Sequence, residues 1–164
     1  MIIDKIGIIK YGLGNIASVE NATNSLGFEY EVITNPNDLY KYKSLVLPGV
    51  GNFSKAMSIL NADGWTENIF EAVITYKKPI LGICLGMQLL ASFGYEGEFD
   101  SSVKIKGLGL IEGEVKNLYD IGCIERVPHM GWNNLINLKT HNIVKGIEPN
   151  TDFYFVHSFA FVPE

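Results

Sequence analysis

Short apolar runs, bounded by glycine, proline and asparagine, divide the first half of the chain into alternating strand-like and helix-like stretches. Ile6-Gly7-Ile8-Ile9 makes a strand within 5–10, and Tyr11-Gly12-Leu13-Gly14-Asn15 a glycine-rich turn after it. Positions 16–26 carry Ile16, Val19, Ala22, Thr23 and Leu26 at helical spacing, and Gly27 closes that helix. Glu31–Thr34 reads as a second strand, and Asn35-Pro36-Asn37-Asp38 as a turn able to cap a short helix. A third strand, Ser44–Leu47, runs into Pro48-Gly49-Val50-Gly51. Phe53–Leu60 and Trp65–Tyr76 have the helical period and are split by Ala62-Asp63-Gly64. Ile80–Ile83 is expected to be a buried fourth strand, and Met87–Phe93 the helix that follows it.

That alternation predicts an α/β fold, a mostly parallel sheet with helices on both faces. The texture changes after Phe93. A polar loop is expected over 94–102, then short strand-like pieces at 107–111, 113–116, 123–127, 143–144, 153–157 and 159–162. These are expected to add antiparallel strands to the sheet within one domain spanning 1–164.

Length and composition narrow the class further. At 164 residues with 47% hydrophobic content, one domain can build a core without disulfides or metal staples. The formal net charge of −5 gives no basic surface for nucleic acid or an anionic membrane. Cys84 and Cys123 lie far apart and form no metal-type pair, which fits a reducing compartment, and no metal site is expected. No apolar run reaches transmembrane length, and the opening residues are too short and broken for a signal peptide, so a cytoplasmic location is expected.

The candidate chemistry sits at Gly82-Ile83-Cys84-Leu85-Gly86. Glycines two residues either side of a cysteine, between a strand and a helix, have the spacing of a nucleophile elbow with sulfur in place of the serine oxygen. A sharp strand-to-helix turn needs neighbours without a Cβ. It also sets the sulfur beside a helix N-terminus, whose partial positive charge favours an anion. An isolated cysteine is more often a small apolar core residue, and the paired glycines are what argue against that here. Acyl transfer at sulfur needs two backbone N–H groups aimed at the developing oxyanion. Leu85 offers one, and the Pro48–Gly51 turn the other, although a plain β–α turn accounts for that stretch equally well. Of the three histidines, His157 follows an apolar strand and is the first to consider as a base, but histidines in strands are more often structural. Gly12-x-Gly14 before a helix has two glycines of a dinucleotide fingerprint. Its third position is Ala17, and no acidic residue ends the second strand, so a tight turn is the better reading.

Gly82-Ile-Cys-Leu-Gly-Met-Gln88 is similar to the nucleophile motif of class I glutamine amidotransferases. Other stretches resemble the glutaminase subunits of imidazole glycerol phosphate synthase: Tyr11–Asn15 with Ser18-Val19, Leu47–Gly51 with Phe53, Ala56 and Met57, Gly107–Leu110, Pro128–Asn133 and Tyr154–Ser158. The resemblance runs in order along the whole chain. It implies a flavodoxin-like amidotransferase fold and no cofactor. It also implies that glutamine is hydrolysed to glutamate and ammonia through a thioester on Cys84, with Val50 and Gly51 in the oxyanion strand. Gln88 and Ser158 would hold glutamine. Trp132 would face a (β/α)8 cyclase partner, in a heterodimer that serves histidine biosynthesis. His129 and His157 match motif residues that are not the family's base. The family's base and its acid lie in a late His-Pro-Glu run; no His-x-Glu run occurs in these 164 residues, and C-terminal truncation is the expectation. Lys10 stands where the family has Asp. The competing expectations are a paralogous subunit feeding another synthetase, such as one that amidates a sugar, and a non-catalytic binding subunit.

Overall fold

Four parallel strands carry the first half of the chain, in the order β2-β1-β3-β4. They are β1 (Ile3–Ile9), β2 (Tyr30–Ile33), β3 (Tyr42–Gly49) and β4 (Ile80–Cys84). The computed structural model describes residues 3–97, 103–136 and 141–164. The chain falls into two compact units, Met1–Lys116 with Phe161–Glu164, and Asn117–Ala160.

The first unit follows the expected pattern closely. Ile8 and Ile9 of β1, Ile33 of β2 and Leu45, Val46 and Leu47 of β3 are buried, the continuous apolar filling of a parallel sheet. Helix α1 (Ile16–Ser25) starts at Asn15, whose side chain accepts the Ser18 N–H at 3.2 Å. It ends at Gly27 with φ +74°, as expected. The expected apolar face of α1 is covered only at Thr23, and Leu26 lies exposed just past the helix end. Asn35 caps a short 3-10 helix, Pro36–Lys41. In α2 (Phe53–Ala62), Phe53, Ala56, Met57 and Leu60 are buried at i, i+3, i+4 and i+7. Trp65, Ile69 and Ala72 do the same for α3 (Trp65–Ile74).

Three expectations are corrected. β4 is the sheet's edge rather than a buried strand: none of its five residues is buried, and Leu81 and Ile83 are 44% and 38% exposed. An apolar run has the same composition whether a neighbouring strand covers it or not. Next, the helix expected over 87–93 ends after one turn, as α4 (Leu85–Gln88), and Ala91–Gly94 is strand β5. Here pairing decides, because short apolar runs suit either conformation. β5 pairs antiparallel with β6 (Ile105–Lys106) and parallel with β7 (Ile111–Asn117). Finally, the late strands do not extend the first sheet. One group forms a second sheet, β10-β7-β5-β6, where β10 is Phe159–Pro163. Of the polar loop expected over 94–102, residues beyond 97 lie outside the described residues, and 94 belongs to β5.

The second unit is built on an antiparallel ribbon, β8 (His129–Asn134) with β9 (Asp152–His157). Its register pairs His129 with His157 and Trp132 with Tyr154. The strands expected at 123–127 and 143–144 are absent; the latter lies in a 3-10 helix, Asn142–Val144, capped by His141. β8 itself was not expected as a strand, because Pro128 and Gly131 interrupt its apolar pattern. Among the described residues, no helix is long and apolar enough to cross a membrane.

Candidate active site

The carboxyl ends of β3 and β4 lie side by side, with Gly49 paired to Cys84. That register delivers the Gly49–Gly51 turn to the cysteine, at the end of the strands where open α/β sheets place their sites. Cys84 is exposed and has φ +55°, ψ −120°. A residue with a Cβ pays strain energy to hold a positive φ, and such outliers persist where the surroundings enforce them. The surroundings here are close backbone. A Cβ on Gly82 would stand 2.4 Å from the Met87 Cα, and one on Gly86 would stand 1.9 Å from the Leu47 carbonyl oxygen. Only glycine fits at either place, so the elbow read from the sequence is enforced on both sides of the sulfur.

Leu85 is buried and begins α4, so its N–H belongs to the first turn, which has no intrahelical acceptor. It points to the same end of the helix as Cys84. With only one turn, α4 lacks the full dipole that the expected longer helix would have brought to the sulfur. Val50 is exposed, and Gly51 adopts φ +98° immediately before α2. Gln88, the last residue of α4, is half-buried.

Sequence reasoning missed Glu96. Its carboxylate accepts the Phe53 N–H at 2.9 Å and its carbonyl accepts the Ser54 N–H at 3.1 Å. Asn52, the α2 cap, accepts the Lys55 N–H at 3.1 Å and donates to the Gly97 carbonyl at 3.3 Å. Together these bonds fasten the exit of the Gly49–Gly51 turn. Burial pushes the Glu96 carboxyl above its ordinary range, and the Phe53 hydrogen bond partly offsets this. A lone glutamate in a polar loop gives no signal in the sequence, because its partners lie 43 residues away.

Ser158 and Trp132 belong to the second unit. Ser158 links β9 to β10, is half-buried, and its carbonyl accepts the Leu118 N–H at 2.9 Å. Trp132 is 70% exposed and meets Tyr154 edge-on at 5.6 Å. On the opposite face of the ribbon the histidines form a chain. His157 Nδ1 faces the Phe159 carbonyl at 2.9 Å and so must carry the proton. In a neutral ring its Nε2 then accepts from His129 Nδ1 at 3.0 Å, and His129 Nε2 accepts from the Asn133 amide at 2.6 Å. Both rings are spoken for within the ribbon, and His141 caps its 3-10 helix by accepting the Ile143 N–H. Among the described residues, no group of acidic, histidine or cysteine side chains could hold a metal ion.

A strained cysteine elbow with an adjacent glycine turn, on a parallel α/β sheet, defines a class, and the comparisons agree with it. Residues 8–164 match the model of the family "Glutamine amidotransferase class-I", and the chain belongs to that family. Its fold matches a crystal structure of a glutamine amidotransferase with a TM-score of 0.68 at 18% identity, over 95% of this chain and 72% of that one. It likewise matches the structure of PurLQS from Thermotoga maritima with a TM-score of 0.66 at 18% identity, over 98% and 70%.

Within the class the similarity is more specific. The chain is 47% identical over 154 residues to imidazole glycerol phosphate synthase subunit HisH 1 of Campylobacter jejuni strain 81-176, covering 94% of this chain and 74% of that protein. It is 43% identical over 160 residues to subunit HisH of Desulfitobacterium hafniense strain DCB-2, covering 97% and 71%.

Proposed function

We propose that this chain is the glutaminase subunit of an imidazole glycerol phosphate synthase, releasing ammonia from glutamine for a partner subunit in histidine biosynthesis. The observation that carries the reading is the strained Cys84 elbow with Gly49 paired beside it.

The chemistry follows from those groups. The Cys84 sulfur adds to the side-chain carbonyl carbon of glutamine. Negative charge develops on the carbonyl oxygen, where the Leu85 N–H and an N–H of the Val50–Gly51 turn meet it. The amide nitrogen takes up a proton and leaves as ammonia, giving a γ-glutamyl thioester. Water then adds to the thioester, glutamate leaves, and the thiol returns. Gln88, at the end of α4, binds the glutamine. The proton-transfer role goes to none of the three histidines: both rings of the ribbon pair are engaged, and His141 serves as a cap.

The partner reading draws on one face of the ribbon. Met130, Trp132, Tyr154 and Val156 fall on the same side by the register, and all are exposed. Aromatic and methionine side chains grouped in this way are typical of the buried centre of a protein interface. A (β/α)8 cyclase in a heterodimer is the partner we infer, and the two free cysteines suit the reducing cytoplasm.

The decisive experiment is Cys84→Ala in the complex with the cyclase. Glutamine-dependent synthesis should fall by about a thousandfold or more while ammonia-dependent synthesis persists. Unchanged glutamate release would refute the role of Cys84. Complex formation without glutamine use by the parent protein would favour a binding subunit.

A further inference from the structure

Tyr11 follows β1 at the carboxyl end of the parallel sheet and is 3% exposed. Its hydroxyl oxygen is shielded from solvent and has no hydrogen-bond partner among the described residues. A buried hydroxyl without a partner costs free energy that a phenylalanine of nearly the same shape would avoid. Burial also pushes the phenol well above its ordinary pKa, so the group stays a neutral O–H donor.

The position of that donor is specific. It lies 3.0 Å from the point where a Cβ on Gly49 would stand. The Gly86 nitrogen is 2.6 Å and the Leu85 Cβ 3.0 Å from the same point. The phenol therefore ends against the backbone of the residue paired with Cys84, beside the first residues of α4. The turn from which Tyr11 springs packs there too: a Cβ on Gly14 would come within 3.3 Å of the Pro48 ring.

We propose that Tyr11 is a positioning residue for glutamine hydrolysis, its hydroxyl donating to the backbone of the Gly49–Val50–Gly51 turn when substrate is bound. The bond fixes the turn in the orientation that aims an N–H at the oxyanion, and the hydroxyl touches none of the reacting atoms. This role rests on the glutaminase reading above, and its test separates the two.

The probe is the glutamine analogue whose side-chain amide is replaced by a chloromethyl ketone, compared with iodoacetamide. With either reagent the Cys84 sulfur displaces halide and gains a C–S bond, read as a mass increase at that residue in the full chain. The ketone needs the pocket and the oxyanion turn; iodoacetamide needs only the thiol. In Tyr11→Phe the chloroketone rate should fall about tenfold, with the iodoacetamide rate unchanged and Tm equal to or above the parent's. A chloroketone rate within about twofold of the parent overturns the role, because a turn N–H no longer aimed at the oxyanion would cost more than that. So does a Tm lower by more than about 4 °C with both rates reduced, which would make the hydroxyl a support of the fold. A parent protein that reacts equally fast with the D-enantiomer of the ketone refutes the glutamine site itself, and Tyr11's role falls with it.

Discussion

The two units solve the same problem in opposite ways. The first closes its apolar residues into a core: Ile8, Ile9, Leu39, Leu47, Phe53, Leu60, Ile69 and Leu89 are all fully buried. In the second, Leu118 is the only buried residue among those described, while Ile124, Met130, Trp132, Ile136, Ile143 and Val156 stand exposed. Its order comes from a ladder of backbone pairs and from the Phe159–His157–His129–Asn133 hydrogen-bond chain. Burial is non-directional and scales with area, whereas a hydrogen bond contributes modestly and only with its partner in place. The first unit can therefore hold a strained elbow in place. The second presents an apolar face that a partner can cover.

Substitutions can break this contrast or sharpen it. The largest effect is expected at the elbow, where Gly86→Ala drives a methyl group into the Leu47 carbonyl. The backbone cannot yield cheaply, so urea denaturation should show a loss of about 3 kcal/mol or more. A change under about 0.5 kcal/mol would mean that the elbow is not rigidly held.

His157→Ala tests the other regime. It removes the partners of His129 Nδ1 and of the Phe159 carbonyl, at a cost of about 1–3 kcal/mol. Amide exchange should quicken across β8 and β9 and stay unchanged in β1 and β3. Uniform quickening would show the two units to be one cooperative body.

Trp132→Ala should leave stability within about 0.5 kcal/mol, because the ring is already mostly in water. Affinity for the cyclase should nonetheless drop by about 2 kcal/mol if the ring is an anchor of the interface, as titration calorimetry would read. Equal affinity would move the interface off this face.

The smallest effect concerns pH. Hydrogen bonds from Lys104 and Lys116 hold the Glu114 carboxyl on β7 down at about 2, from an ordinary 4.5. A depressed carboxyl stabilises the fold above its unfolded pKa and loses that contribution as pH falls through the folded value. The stability gap between the parent and Glu114→Gln should thus be constant near neutrality and shrink from about pH 4.5 towards 2. Solvent screening at these partly exposed side chains keeps the effect small.

Read along the chain, the local pattern was enough for β1 to β3, for α2 and α3, for the glycine that closes α1 at Gly27 and for the cap at Asn35. In each case the information is local: a period, a capping side chain, a glycine. The elbow was legible for the same reason, since Gly82, Cys84 and Gly86 lie within five residues of one another. Its neighbour was legible in part. The Pro48–Gly51 turn announced itself as a turn, but only the pairing of Gly49 with Cys84 put it beside the sulfur.

What tertiary structure alone decided is everything that depends on a distant partner. The run 80–83 became an edge and not an interior strand, and 91–94 became a strand and not a helix. Glu96 took the Phe53 N–H of α2 from 43 positions away, two histidines engaged each other, and Tyr11 was left with a buried donor beside Gly49. A sequence specifies its local conformations through short-range sterics and hydrogen bonds. Burial and pairing are set by residues tens of positions away, and no local pattern encodes them.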